Sequence, residues 1–178
     1  MEGHSTLAKL NGLGMFINQQ DQYKKAVKAS GLPSLSASQA VFLDAWLNTA
    51  NPSKPHFPSR SDFPPNKYAA HLLDVVVFDV EEDPADFKYR LFGSTVRYHS
   101  HEDFTGRLLS TLPGKGPGSV IWKMLSDVVA NKAPFYREVP YVGPHKDYKR
   151  SSVLFLPLAS DRVTINKVFL VAQFIPLA

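Results

Sequence analysis

The chain has 178 residues, of which 44% are hydrophobic and 12% aromatic, and its formal net charge is +4. This length suits one domain with a substantial core, and the composition excludes an intrinsically disordered chain. The absence of cysteine excludes disulfides, thiolate nucleophiles and iron–sulfur ligation.

The distribution of apolar and basic residues favours a soluble protein. No apolar run reaches 18 residues and no secretory signal is legible, so we expect a cytoplasmic protein without a membrane partner. In "HKDYKRSS", Lys146, Lys149 and Arg150 surround Tyr148, as in some nucleic-acid contacts. Such charge at a predicted hairpin tip is more typical of a solvated loop, so nucleic acid is not an expected partner.

The first predicted element is a weak amphipathic helix. Phe16, Tyr23 and Val27 have roughly helical spacing among polar residues, and Gly31 with Pro33 supplies a stop. We therefore predict an N-terminal helical extension over residues 1–35, partly disordered.

A stronger helix follows in "SLSASQAVFLDAWLNTAN", with Ser36 or Ser38 as its N-cap. Its broad apolar stripe consists of Ala40, Phe42, Leu43, Trp46 and Leu47. A stripe that contains Phe and Trp must be buried against another part of the fold.

Strands begin after a proline-rich segment. The prolines between residues 52 and 65 interrupt regular structure, and a short helix is predicted from Asn66. Residues 75–80 are apolar and rich in β-branched side chains, and "FKYRLFGST" has a similar pattern after a turn. Residues 75–95 therefore predict an antiparallel hairpin.

The second half of the chain predicts helices and then strands. "HEDFTGRLLSTL" and "GSVIWKMLSDVVANK" indicate two helices, and "PFYREVPYV", "SSVLFLPLA" and "KVFLVAQFIPL" indicate three strands. Two strands, a helical middle and three strands are typical of an α+β fold with an antiparallel sheet.

This order of elements resembles the PAS-domain family, specifically small bacterial stand-alone PAS-like proteins of unassigned function. The local motifs that carry the resemblance are Trp46 in a helix, "PSRSD" at 58–62, Arg90 and Gly93 in "FKYRLFGST", Thr105, Gly106 and Arg107 in "DFTGRLL", and the strand "LFLPLA". The resemblance covers about residues 40–178. It implies a five-stranded antiparallel sheet with helices across one face, often around a small cavity. The extension over 1–35 would thus precede a PAS-like domain over 36–178, which includes the Trp46 helix.

PAS domains are sensor and interaction modules, so the resemblance implies a sensory or regulatory module that binds a small molecule or a protein partner. It implies no particular ligand or cofactor. Because no output domain is legible, we expect the signal to pass to a homodimer partner or to a signalling protein. The expected ligand-binding residues are Arg90, Tyr98, His99 and Tyr141 at the rim of the cavity, and Phe104, Met124, Val128 and Phe155 in its apolar part.

Catalytic motifs are not legible, and we expect no catalysis. There is no G-x-S-x-G elbow. "LPGKGPGS" does not match a phosphate-binding loop, because Lys115 lies between glycines and Pro117 removes an N–H. We interpret this segment as a turn before the following helix.

The segment "HSHED" supports an alternative, a metal- or haem-binding protein. In extended geometry His99 and His101 would share one face, and Glu102 or Asp103 could add a ligand. A third and fourth ligand have no recognisable spacing, so the other interpretation is a solvated loop.

A third function class is a dimerisation module without a ligand. An exposed sheet face or the N-terminal helix would then form the interface. Alternatively, the Trp46 helix covers the sheet within the same chain.

The two charged residues of "PSRSD" have either a structural or a binding role. Arg60, Asp62 and Arg90 could form structural pairs, or the arginines could contact an anionic ligand, because the planar guanidinium suits both. We also expect Asp62 to cap the helix that follows it.

Overall fold

An antiparallel sheet forms the centre of the fold in the computed structural model, which describes residues 15–16, 35–50, 56–82 and 85–177. Its strands are β1 (Met15–Phe16), β2 (Val75–Glu82), β3 (Ala85–Phe92), β4 (Phe135–Pro140), β5 (Tyr148–Leu158) and β6 (Lys167–Pro176). They are arranged in the order β1-β4-β5-β6-β2-β3, so that β5 and β6 lie in the interior of the sheet. The predicted five strands and the α+β class are confirmed, with the two-residue β1 added at the β4 edge.

The predicted N-terminal helix lies mostly outside the described residues. Within them, Phe16 is in a strand and pairs with Phe135 of β4, and Met15 pairs with Tyr136. At this position the chain continues the sheet instead of forming a helix.

Four helices accompany the sheet in the described part of the chain. They are α1 (Ala37–Thr49), α2 (Pro65–Leu72), α3 (Ser94–Tyr98) and α4 (Val120–Asn131), with single 3₁₀ turns at Arg60–Asp62 and Leu109–Thr111. Ser119 caps α4 by accepting a hydrogen bond from the Trp122 N–H. The helices predicted around Trp46, from Asn66 and after Gly118 are therefore confirmed.

Helix α1 covers one face of the sheet within the same chain. Ser36, and not Ser38, is its N-cap, in a reciprocal capping box with Gln39. The buried Gln39 amide donates to the carbonyl oxygens of Ser152 (3.2 Å) and Val171 (3.1 Å), which attaches the helix to β5 and β6. Trp46 Nε1 donates to the Pro157 carbonyl oxygen at 2.7 Å. The sheet face beneath α1 is thus not available for a homodimer.

Alternation along the strands divides the core into two layers. Leu154, Leu156 and Leu158 of β5 pack beneath α1, while Val153 and Phe155 point to the opposite face. On that face they meet Met124, Leu125 and Val128 of α4 in one apolar cluster. Helix α4 thus crosses one face of the sheet, as expected, and α1 covers the other face, which is the alternative considered for the Trp46 helix.

The predicted helix over residues 101–112 is wrong, because this segment pairs with the edge strand β3. The Tyr89 N–H donates to the Arg107 carbonyl oxygen at 3.0 Å, and the Gly106 N–H donates back to Tyr89 at 2.6 Å. Gly106 has φ 85°, which a helix excludes. Asp86 extends this attachment by accepting the Ser110 hydroxyl. Residues 101–108 therefore form a loop that leads to the 3₁₀ turn at Leu109–Thr111, and hydrogen bonds attach this segment to the edge strand β3.

The segment "FPSRSDFPP" forms a 3₁₀ turn that joins α1 to α2. Asp62 accepts the Ser59 N–H at 2.7 Å and forms an ion pair with Arg162. Because α2 begins at Pro65 without a side-chain cap, the expected cap by Asp62 is wrong.

Arg60 donates to the Phe63 carbonyl oxygen and lies 5.5 Å from the centre of the Phe169 ring. Asp62 pairs with Arg162, and with neither Arg60 nor Arg90, so this ion pair connects the 3₁₀ turn to the loop between β5 and β6.

Phe42→Ala should lower the free energy of unfolding by about 3–5 kcal/mol, because it leaves a cavity in the fully buried contact between α1 and the sheet. Chemical denaturation measures the change. Asp44→Ala, an exposed position on the same helix, is the control and should change stability by less than about 0.5 kcal/mol. Equal effects of the two substitutions would contradict the burial of α1.

Asp62→Asn should remove the ion pair with Arg162 and keep an oxygen that can cap Ser59. We expect the free energy of unfolding to fall by about 0.5–1 kcal/mol near neutral pH. Hydrogen bonding to Arg162 lowers the pKa of the Asp62 carboxyl. Its stabilisation is therefore present above the unfolded pKa of about 4 and is lost as pH falls through the lowered folded value.

Urea denaturation of the wild type and of Asp62→Asn, from neutral to acidic pH, measures the difference in their free energies of unfolding. Glu81→Gln, at an exposed position, serves as the control. A difference between wild type and Asp62→Asn that is constant across the pH range would be evidence against the pair.

Candidate ligand cavity

A cavity of about 810 Å³ lies between the sheet and α4, on the face opposite α1. The strands contribute apolar side chains to it: Val76, Phe78, Val153, Phe155, Leu170 and Ala172. From the other side it is closed by Val96, Phe104, Ile121 and Met124. This volume and this apolar lining are typical of small-molecule sites in proteins.

The mouth of the cavity is formed by three loops. The exposed residues of the lining lie in three segments and are His101, Gly114, Gly118, Val120, Pro140 and Val142. Val120 and Val142 are 57% and 83% exposed there, although both are apolar. The open side of the cavity is therefore bordered by loop residues, while the sheet forms its closed end.

His99 is a buried polar residue in the lining of the cavity. It is 8% exposed, and its ring stacks on Phe174 with the ring centres 3.8 Å apart. Its Nδ1 lies 3.1 Å from the Tyr141 hydroxyl oxygen, and the Tyr148 ring meets it edge-on. Burial, with a smaller effect of His145, lowers the pKa of His99, which favours a neutral imidazole near neutral pH.

The loop over residues 141–145 closes onto His99 from outside. His145 stacks on Tyr98 with ring centres 4.2 Å apart, and its Nε2 lies 2.7 Å from the Tyr98 carbonyl oxygen. Gly143 approaches so closely that a Cβ there would overlap the His99 carbonyl oxygen and the Tyr141 ring. Only glycine permits this approach.

Two cationic side chains that were not expected in the site line the cavity. Lys115, from the loop before α4, is half-buried with its Nζ 5.3 Å from the centre of the Phe104 ring, and burial lowers its pKa. Arg137 is on β4, and its Nε is buried without a hydrogen-bond partner. The alternation of Phe135, Arg137 and Val139 in "PFYREVPYV" could have indicated an inward arginine. Lys115 has no such periodic pattern.

The structure brings together five of the eight expected ligand-binding residues. His99, Phe104, Met124, Tyr141 and Phe155 all line the cavity.

The other three lie outside the lining. Arg90 is exposed on β3, Tyr98 is 61% exposed and packs on His145, and Val128 is fully buried in the packed core. Whether the five lining residues contact a ligand stays a prediction.

The residues of "HSHED" do not converge on a metal ion. His99 is buried and His101 is exposed, because the chain turns after α3 and is not extended. Asp103 pairs with Arg97 at 2.8 Å and Glu102 with Arg107 at 3.3 Å. Within residues 15–16, 35–50, 56–82 and 85–177, no group of three or more His, Asp or Glu side chains could hold a metal.

A family model described as "PAS domain" matches residues 35–171, which is most of the chain and includes α1. The chain belongs to the PAS-domain family. A comparison with curated proteins finds no match. In the described residues of this PAS domain, no helix has the length and apolar character needed to cross a bilayer.

The solved structures to which this chain is similar include a sensory box sensor histidine kinase from Vibrio cholerae. It is 13% identical over 63% of this chain and 90% of that chain, with a TM-score of 0.46. An RNA-binding light-oxygen-voltage receptor is 12% identical over 64% of this chain, with a TM-score of 0.43, and the match spans 33% of the receptor chain. The PAS assignment rests on the family model and not on these two likenesses.

Gly143→Ala should push the 141–145 loop away from His99, because the new Cβ overlaps a backbone oxygen. We expect a melting temperature lower by about 3–8 °C, and an imidazole pKa of His99 that rises toward its ordinary value as the ring becomes hydrated. Circular dichroism and NMR titration measure the two changes. Val142→Ala, next to it and exposed, is the control and should leave both unchanged. If Gly143→Ala behaves like this control, the close contact does not exist.

Proposed function

We propose that this PAS domain is a sensory module whose cavity binds a small molecule. The observation that carries the proposal is the cavity of about 810 Å³ between the sheet and α4. A void of this size lined by apolar groups leaves dispersion contacts unmade, which a ligand with an apolar body would restore. Membership of the PAS-domain family, whose members act as sensors and interaction modules, supports the same role.

The polar groups of the lining favour binding over catalysis. His99 is stacked on Phe174 and faces the Tyr141 hydroxyl, so its ring orientation is fixed by packing. In the described part of the chain no Asp or Glu side chain lines the cavity, so the lining holds no carboxylate to orient an imidazole as a general base. Ser151 is buried in the same lining without this arrangement.

The signal would leave the module through the loops at the mouth. A ligand that contacts the loops over 114–120 and 139–143 would change their arrangement, and a partner could detect this change. We propose that the partner is a second copy or a signalling protein. It would use a surface other than the sheet face that α1 covers.

Ala172→Phe should block the cavity, because residue 172 is a small side chain on its sheet wall. A suitable neutral aromatic probe is 2-naphthalenemethanol. The wild type should bind it in a 1:1 ratio and gain thermal stability, and Ala172→Phe should lose at least about 90% of this binding. Isothermal calorimetry and thermal denaturation measure both effects, and native mass spectrometry of the purified protein reports any ligand already bound and the oligomeric state.

Ala130→Phe is the matched control, because residue 130 is exposed on α4 and outside the lining. It should bind the probe as the wild type does. If the wild type takes up no probe and contains no bound molecule, the cavity is not a ligand site.

A further inference from the structure

We infer that the natural ligand is an organic anion with an apolar body, held by Lys115 and Arg137. This inference names the ligand class for the proposed function and therefore rests on it.

The charged side chains in the lining are all of one sign. Lys115 and Arg137 line the cavity together with His99 and His101, and no Asp or Glu among the described residues does so. The chain as a whole has 16 acidic residues against 20 basic ones, so the exclusion of carboxylates is a property of this site and not of the composition. A concave site with one sign of charge and apolar walls attracts the opposite charge.

Arg137 is directed into the cavity by the alternation of β4. Its neighbours Phe135 and Val139 point to the same face, and it lies opposite Val153 of β5. The adjacent Glu138 alternates to the other face, where Arg150 pairs with it at 2.8 Å. Arg137 and Glu138 do not pair with one another: the Arg137 Nε and the Glu138 Oε1 are both buried without a hydrogen-bond partner, and the Glu138 Oε2 pairs with Arg150.

Lys115, in the loop before α4, also lacks a carboxylate partner among the described residues. It contacts the face of the Phe104 ring, and no ion pair to it occurs among the described residues, in which six other cations have carboxylate partners. Desolvation without a partner lowers the pKa of Lys115. An unpaired half-buried cation is costly, and an anionic group in the cavity would offset this cost.

The neighbouring groups define the rest of the ligand. The Tyr89, Phe92, Phe104 and Phe155 rings and the Ile121 and Met124 side chains surround the apolar part of the cavity. Planar apolar groups suit such walls, since aromatic rings stack on one another. The site thus fits an aromatic or other flat apolar body that carries a carboxylate, phosphate or sulfonate.

Three probes with the same ring system and different charge test the inference: 2-naphthoate, 2-naphthalenemethanol and 2-naphthylmethylammonium. Calorimetry on the full chain should show naphthoate binding about tenfold more tightly than the alcohol, and the ammonium compound binding most weakly. The preference for naphthoate should decrease with added salt, because it depends on charge. This comparison needs no substitution and is independent of any effect on folding.

The double variant Lys115→Met with Arg137→Met should lose the preference for naphthoate and bind it as weakly as the alcohol, with alcohol binding unchanged. Each single variant should lose part of the preference. Lys123→Met with Lys146→Met removes two exposed positive charges outside the lining and should bind all three probes as the wild type does.

Equal affinity of the wild type for naphthoate and the alcohol, or a double variant that keeps the preference, overturns the inference and leaves the proposed function standing. If no probe binds to the wild type and no molecule is bound in the purified protein, both the inference and the proposed function are wrong.

Discussion

The antiparallel sheet is apolar on both faces, and the rest of the fold is arranged to bury them. In β5, every residue from Ser151 to Leu158 is buried, which an open sheet with one solvated face would not allow. A two-sided sheet of this kind needs a layer on each face. Helix α1 supplies one layer, and it is fixed in place because the Gln39 amide reaches the carbonyl oxygens of β5 and β6.

The two layers fill their space differently, and this difference produces the cavity. Beneath α1, the Phe42, Phe63, Tyr68 and Phe169 rings contact one another and pack the interface densely. On the other face, α4 and a loop attached to β3 through Asp86 and Ser110 span the sheet without filling the space. One face of the sheet is thus densely packed, and the other encloses the cavity that we propose as the ligand site.

Much of the site was predictable where side chains follow a periodic pattern or a motif. Phe104, Met124 and Phe155 line the cavity as expected, although Phe104 lies in a loop and not in the predicted helix. Val128, on the same helix as Met124, packs into the core instead, since helical periodicity defines a face but not which part of it meets a void. Lys115 was missed because its position depends on a loop attached to another segment.

The sequence by itself determined the α+β class, the five main strands, the helix with Trp46 and the resemblance to PAS domains. These follow from local periodicity, capping residues and short motifs, which act over a few neighbouring residues. Only the tertiary structure decided that α1 covers the sheet, that residues 106–108 pair with β3, and that His99 and Lys115 line one cavity. Each of these depends on contacts between segments far apart in the chain, and such contacts leave no periodic signal in either segment alone.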